Sequence, residues 1–247
     1  MKQSVVLLLV LFLALTSGVV RAQEKIQAVT EEFAPFNYTE NGKVTGYSTH
    51  VVEEMLRRAG LPYDLHSYPW SRSYKIAQSL PNVVVFTLAR TPQREKQFHW
   101  IGALAKRKLY FYKLASRKDI HVEKIDDVKR YRISVNRDDA AETLLIDMGF
   151  SYDKNLDLAP SDAAGLNKLL AGRVDFITGT DYTIDYLLQQ AGAEPSKLQR
   201  SIVLIDQGEY YVAASKGTSP EIVRRLREAY EQMEKEGVIK SLQPKFE

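Results

Sequence analysis

The sequence VVVFTLARTPQRE, residues 83–95, begins with the run that predicts the fold class. Its first five residues, Val83 to Thr87, are all β-branched or aromatic, which is typical of a strand buried on both faces. Strands of this kind belong to parallel sheets that are covered by helices on both sides. We therefore predict that this run is a central strand of an α/β protein.

Predicted strands and helices alternate on both sides of this run. One helix has its apolar residues on one face, at Val51, Val52, Met55, Leu56 and Ala59, with Ser48 or Thr49 as its cap and Gly60 at its end. Further strands are predicted at 26–30, 63–68, 109–115, 131–135, 174–178, 202–205 and 210–214, and further helices at 70–80, 140–148, 163–171, 183–190 and from Ser219 onward. The alternation predicts two α/β lobes with mostly parallel sheets, packed around a cleft.

Composition excludes several classes of protein. The 247 residues are 45% hydrophobic and 26% charged, with a net charge of +3, which are ordinary values for a globular protein and exclude a polytopic membrane protein or a disordered chain. The sequence has no cysteine, so it has no disulfide, no thiol nucleophile and no cysteine-ligated metal. The small net charge gives no indication of a nucleic-acid partner.

The first 22 residues have the pattern of a cleaved signal peptide. Lys2 supplies the positive end, residues 5–15 form a short apolar run, and Val20-Arg21-Ala22 is a small-x-small cleavage site. The alternative is an uncleaved anchor, but a bilayer requires about 20 apolar residues. We therefore predict an exported protein that is soluble in the periplasm.

Four segments resemble family 3 of the bacterial solute-binding proteins, which have the type II periplasmic-binding-protein fold. The segments are Ala34-Pro35-Phe36-Asn37 with Gly42 to Tyr47, Thr87 to Glu95, Ala171-Gly172-Arg173-Val174-Asp175, and Tyr211 to Gly217. The resemblance covers residues 24–247. It implies a first lobe from 24–113 plus 210–247, a second lobe from 114–209, a hinge near Tyr112 and Glu209, and a ligand bound between the lobes.

The resemblance implies a ligand site on the first lobe around Arg94. This residue matches the family arginine that binds a ligand carboxylate, for which a guanidinium is well suited because it presents paired donors. Thr87 and Thr91 lie beside it in the sequence and would add hydroxyl and backbone donors. Arg90 either lines the same cleft or is solvated.

Phe36, Tyr38 and Trp70 are candidate aromatic walls of the cleft, and the alternative for each is ordinary packing. Arg72 lies two residues after Trp70. The two side chains would share one side at the end of a strand but not at the start of a helix.

The second lobe departs from the pattern of amino-acid-binding members. Asp138 and Asp139 stand where those members usually have glycine and threonine, and Asp181 is one position from their usual ammonium-binding aspartate. Each aspartate either faces the ligand, attracting a cation, or caps a helix. Our first expectation is a ligand with its acidic end at Arg94 and its cationic end at Asp181.

These features predict a periplasmic protein that captures a small polar, amino-acid-like solute and delivers it to the membrane permease of an ABC transporter. The alternatives are a ligand-sensing module of a membrane receptor, a dehydratase-type enzyme on the same fold, and an accessory module without ligand. We expect a monomer without cofactor or metal, since the four histidines are scattered. Acidic doublets such as Glu31-Glu32 are interpreted as solvated.

Overall fold

A computed structural model describes residues 25–243, which form two five-stranded sheets and a short hairpin. The strands are β1 Ile26–Thr30, β2 Tyr38–Glu40, β3 Lys43–Thr45, β4 Tyr63–Ser67, β5 Val83–Ala89, β6 Phe98–Lys106, β7 Leu109–Leu114, β8 Ile133–Asn136, β9 Leu156–Ala159, β10 Phe176–Gly179, β11 Leu198–Ile205 and β12 Glu209–Ser215. The helices are α1 Tyr47–Arg58, α2 Trp70–Ser79, α3 Ile125–Val128, α4 Ala140–Asp147, α5 Asp162–Leu170, α6 Asp181–Gln190, α7 Pro220–Lys235 and α8 Val238–Leu242.

Each sheet is the centre of one lobe. The first has the order β4-β1-β5-β12-β6 and the second the order β11-β7-β10-β8-β9. In each sheet two neighbouring pairs are parallel and two are antiparallel. The two-lobed α/β fold predicted from the sequence is confirmed, with mixed sheets in place of the mostly parallel ones expected.

Helices cover both faces of each sheet, as the run Val83 to Thr87 predicts. All seven residues of β5 are buried. Val84 faces the core formed with α1 and α7, whereas Val85 faces the core formed with α2. In the second sheet, α4 packs against one face and α5 and α6 against the other.

Helix α1 begins earlier than expected. Its N-cap is Gly46 rather than Ser48 or Thr49, and Tyr47 is its first residue. Gly46 has a φ of 106°, and a Cβ atom there would lie 2.6 Å from the carbonyl oxygen of Phe36. Only glycine fits this position, so the chain turns into the helix at Gly46.

The chain passes between the lobes at two adjacent segments. Lys106 of β6 pairs with Glu209 of β12, and the backbone N–H of Arg107 donates to the carbonyl of Gly208 at 3.0 Å. Strand β7 already belongs to the second sheet, so the first crossing lies at residues 107 and 108 rather than near Tyr112. The two crossing segments therefore run side by side, and a hinge at them remains a prediction.

The predicted signal peptide, residues 1–22, lies outside the described residues. Within residues 25–243, no helix has the length and apolar character that a membrane crossing requires.

Candidate functional site

A cavity lies between the two lobes. The space open to the centre of a water molecule is about 50 Å³, several times the minimum that holds one water molecule. The first lobe and the hinge contribute Glu31, Phe33, Trp70, Thr87, Arg94 and Tyr210. The second lobe contributes Ser134, Asn136, Asp139, Asp162, Thr178 and Thr183, among others.

The ends of the parallel strands place these polar groups at the cavity. Glu31 directly follows β1, and Thr87 lies near the end of β5. In the second lobe, Asn136 ends β8 and Asp162 follows β9. The carboxyl ends of parallel strands are the usual location of ligand sites in α/β sheets.

Three carboxylates share the cavity, on Glu31, Asp139 and Asp162. Burial, together with the charges of Asp162 and Asp139, raises the pKa of Glu31 well above its usual value, although Arg94 opposes this effect. Burial and the charge of Asp139 raise the pKa of Asp162 to about 7, although Asn136 donates to its Oδ1 at 2.6 Å. The cavity therefore concentrates negative charge that the surrounding protein does not fully compensate.

Arg94 is the guanidinium expected to bind a ligand carboxylate. It is 5% exposed, and its Nη2 donates to the carbonyl of Asp138 in the other lobe at 2.7 Å. Its Nη1 donates to the carbonyl of Ala89 at 3.3 Å. The guanidinium carbon also lies 5.5 Å from the ring centroid of Trp70 and 4.7 Å from that of Tyr74. Arg94 thus lines the cavity while it also connects the two lobes.

Trp70 makes a second contact between the lobes to the same acceptor. Its indole Nε1–H donates to the carbonyl of Asp138 at 2.8 Å. Gln93 adds a third contact, because its amide donates to Oδ2 of Asp147 at 3.1 Å. The lobes are therefore in direct contact across the cleft.

The two neighbouring aspartates of the second lobe have different roles. Asp139 lines the cavity and caps α4, since its Oδ1 accepts from the backbone N–H of Ala140 at 2.6 Å. Asp138 is exposed and has a φ of 61°, and its carbonyl rather than its carboxylate reaches the first lobe. Its backbone N–H donates to Glu142, which fixes this turn.

Four predicted residues, Thr87, Trp70, Arg94 and Asp139, line the cavity together. Thr91 lines a neighbouring groove that it shares with Arg94 and Asp138. Their contact with a ligand remains a prediction.

The other two predicted aromatic walls lie away from the cavity. Phe36 is buried in the first core and stacks on Phe33 with ring centroids 5.3 Å apart, so Phe33 forms the wall instead. Tyr38 lies in the hairpin, where its ring is 5.4 Å from that of Tyr186 in the second lobe. It thus contacts the other lobe without lining the cavity.

Arg72 and Arg90 face solvent. Because α2 starts at Trp70, Arg72 lies on another side of the helix, where its guanidinium is 4.0 Å from the ring of Tyr68. Arg90 forms an ion pair with Glu95, with its Nε 2.8 Å from Oε2. Of the two alternatives for Arg90, the structure shows the solvated one.

Asp181, expected at the cationic end of the ligand, lies outside the cavity in the structure. Its carboxylate accepts a hydrogen bond from the hydroxyl of Tyr112 and forms an ion pair with Arg200 at 3.0 Å. The preceding Thr180 caps α6, and its Oγ1 accepts from the backbone N–H of Thr183 at 3.1 Å.

Several residues of the cavity were not predicted from the sequence. Glu31 was interpreted as solvated, whereas in the structure only its neighbour Glu32 is exposed. Asp162 directly follows the helix cap Ser161. In the sequence it therefore looks like the acidic residues that commonly occupy the first turn of a helix. The position of both at the end of a strand was the available signal. Ser134 and Tyr210 carried no local signal.

The described residues contain no group of three or more histidine or acidic side chains placed to hold a metal ion.

Residues 26–246 match the family model of bacterial extracellular solute-binding proteins, family 3. The match spans most of the chain, so the protein belongs to this family. None of the curated proteins matches the chain significantly.

Solved structures share the fold at low sequence identity. A histidine kinase sensor domain with similarity to periplasmic binding proteins has a TM-score of 0.78 at 18% identity, covering 89% of this chain and 94% of that one. An ancestral arginine-binding protein bound to arginine has a TM-score of 0.76 at 18% identity, with coverage of 88% and 96%. The arginine-, lysine-, histidine-binding protein ArtJ of Geobacillus stearothermophilus has a TM-score of 0.74 at 18% identity, with coverage of 90% and 97%.

Proposed function

We propose that this protein captures a small polar solute between its lobes in the periplasm and delivers it to a membrane transporter. The observation that carries the proposal is the cavity between two lobes that contact each other across it. Family membership supports solute binding outside the cell. The arginine-bound and glutamine-bound neighbours support a solute of about the size of an amino acid.

Binding is tested by a thermal-shift screen of residues 23–247 against amino acids, amines, dicarboxylates and aromatic acids. A ligand at 100 times its Kd stabilises the protein by about 2.7 kcal/mol, which raises the melting temperature clearly. The variant Thr178→Trp fills the cavity, whereas Gln199→Trp adds the same side chain at an exposed position of the second sheet. We expect Thr178→Trp to lose the shift and Gln199→Trp to keep it. A shift that survives in Thr178→Trp would contradict binding in this cavity.

The second candidate function is ligand sensing for a membrane receptor. Similarity of fold to a histidine kinase sensor domain supports it. Uptake of the radiolabelled ligand separates the two functions. Loss of uptake in cells that lack the protein is the result expected for a transport protein, and unchanged uptake would favour the sensor.

We infer that the protein binds its solute without converting it and acts as a monomer. Mass spectrometry of the ligand after prolonged incubation should recover it unchanged. A product that loses water would instead indicate the dehydratase-type activity. Light scattering of the mature protein should give the mass of one chain.

A further inference from the structure

The charge of the cavity is unusual for the capture of a carboxylate. Among the described residues that line it, three carry carboxylates, Glu31, Asp139 and Asp162, and only Arg94 carries a positive charge. A ligand carboxylate near Arg94 would also meet these three acidic groups, and each of them that is ionised would repel it.

Arg94 is already used by the protein itself. Its guanidinium donates to the carbonyl of Ala89 and, across the cleft, to that of Asp138, and it lies beside two aromatic rings. A carboxylate that took over the two N–H groups now donating to Ala89 and Asp138 would break this contact between the lobes, although those of Trp70 and Gln93 would remain. Arg94 thus already joins the lobes, and a ligand carboxylate would compete with Ala89 and Asp138 for these N–H groups.

At each helix N-terminus beside the cavity, which could bind an anion, one backbone N–H group already has a side-chain acceptor. Asp139 caps α4, Ser161 caps α5 and Thr180 caps α6, in each case with a side-chain oxygen that accepts from a backbone N–H. An incoming carboxylate would have to displace these caps to reach the same donors.

One buried group in the cavity is left without a partner. Ser134 is 4% exposed, and its Oγ has no hydrogen-bond partner. Glu31 lines the same cavity, where burial and the neighbouring acids raise its pKa. A buried polar atom that lacks a partner costs free energy, which a donating ligand recovers.

Resting on the proposed function, we propose that the solute is a small organic amine in its ammonium form and carries no free carboxylate. Its N–H groups would donate to the carboxylates of Glu31 and Asp162 and to Ser134. The ammonium charge would relieve the repulsion among the acids. Phe33, Trp70 and Tyr210 supply the apolar surface for its carbon atoms.

Pairs of molecules that differ only by a carboxylate test the proposal. Residues 23–247 are titrated calorimetrically with cadaverine and lysine, agmatine and arginine, and histamine and histidine. We expect at least one amine to bind at least 10-fold more tightly than its parent amino acid. Tighter or equal binding of the parent in every pair, or no binding of any amine, would overturn the proposal.

Substitutions in the cavity then test which acidic side chains bind the ammonium group. Glu31→Gln and Asp162→Asn should each weaken binding of that amine at least 10-fold, whereas Asp64→Asn, an exposed aspartate on β4, should leave it unchanged. Ser134→Ala, a milder change, should weaken binding several-fold and guards against a variant that fails to fold. Unchanged affinity in all three cavity variants would contradict the site.

The outcomes separate this proposal from the proposed function. A parent amino acid that binds, and loses its binding in Thr178→Trp, overturns only the amine assignment. A ligand that binds equally to wild type and Thr178→Trp overturns the proposed function itself.

Discussion

Replacing Asp162 by asparagine should stabilise the empty protein at neutral and alkaline pH. Burial and the charge of Asp139 raise the pKa of Asp162 from its ordinary 3.8 to about 7. Asparagine has nearly the same shape and keeps an oxygen that accepts from Asn136, but it carries no charge. The substitution therefore removes the charge while it preserves the local hydrogen bond.

The sign and size of this change in stability follow from proton linkage. Between pH values of about 4 and about 7 the folded protein holds a proton that the unfolded chain has released, so stability falls as pH rises through this range. A pKa of about 7 in place of 3.8 corresponds to at most about 4 kcal/mol, at about 1.4 kcal/mol for each pKa unit. Because Asp162 is only half-buried and faces the cavity, we expect about 2 kcal/mol of this penalty.

Urea unfolding at pH 4, 6 and 8 measures the effect. Asp162→Asn should match wild type at pH 4 and exceed it by about 2 kcal/mol at pH 8, whereas Asp64→Asn should show no such pH dependence. A variant that is equally or less stable than wild type at pH 8 would refute the reasoning that Asp162 is held in an unfavourable charged form.

Two further substitutions test the packing and the contact between the lobes. Gly102→Ala would place its Cβ 2.2 Å from the ring of Tyr230, so we expect the free energy of unfolding in urea to fall by about 3 kcal/mol. A decrease below 1 kcal/mol would contradict this packing. Trp70→Phe removes the hydrogen bond to the carbonyl of Asp138, which is worth about 1 kcal/mol. Its loss favours an open form, so the radius of gyration of the empty protein should increase. Tyr74→Phe keeps this hydrogen bond and should leave the radius of gyration unchanged.

The periodic parts of the fold could be predicted from the sequence, because burial leaves a local pattern. The buried run at 83–87 is the start of β5, and the helix predicted at 70–80 is α2. The cap at Ser219 with Pro220 behind it also lies where expected.

Strand β6 has no such clear pattern. Glycine is unfavourable in a strand, and Gly102 interrupts the apolar alternation of β6. The structure shows why glycine stands there, since the ring of Tyr230 from α7 lies against its backbone. A contact so distant in the sequence leaves no local signal.

The candidate site was less predictable because it depends on how the two lobes meet. Arg94 could be identified by its motif, but its acceptor, the carbonyl of Asp138, is a backbone atom of the other lobe. Asp181 has the residue type expected for a cationic ligand, yet Tyr112 and Arg200 hold its carboxylate elsewhere. Residue type therefore predicted which chemical groups occur near the site better than it predicted where each side chain lies.

The distance between the lobes, with and without ligand, tests the central claim most directly. Since the sequence contains no cysteine, a pair of spin labels can be introduced at the exposed residues Lys75 and Lys154, one on each lobe, with Lys75 and Lys216 as a control pair within the first lobe. The probe is the compound with the largest thermal shift in the screen. We predict that it narrows the first distance distribution to a single short distance and leaves the control pair unchanged. An identical distribution between the lobes at saturating ligand would contradict capture by closure.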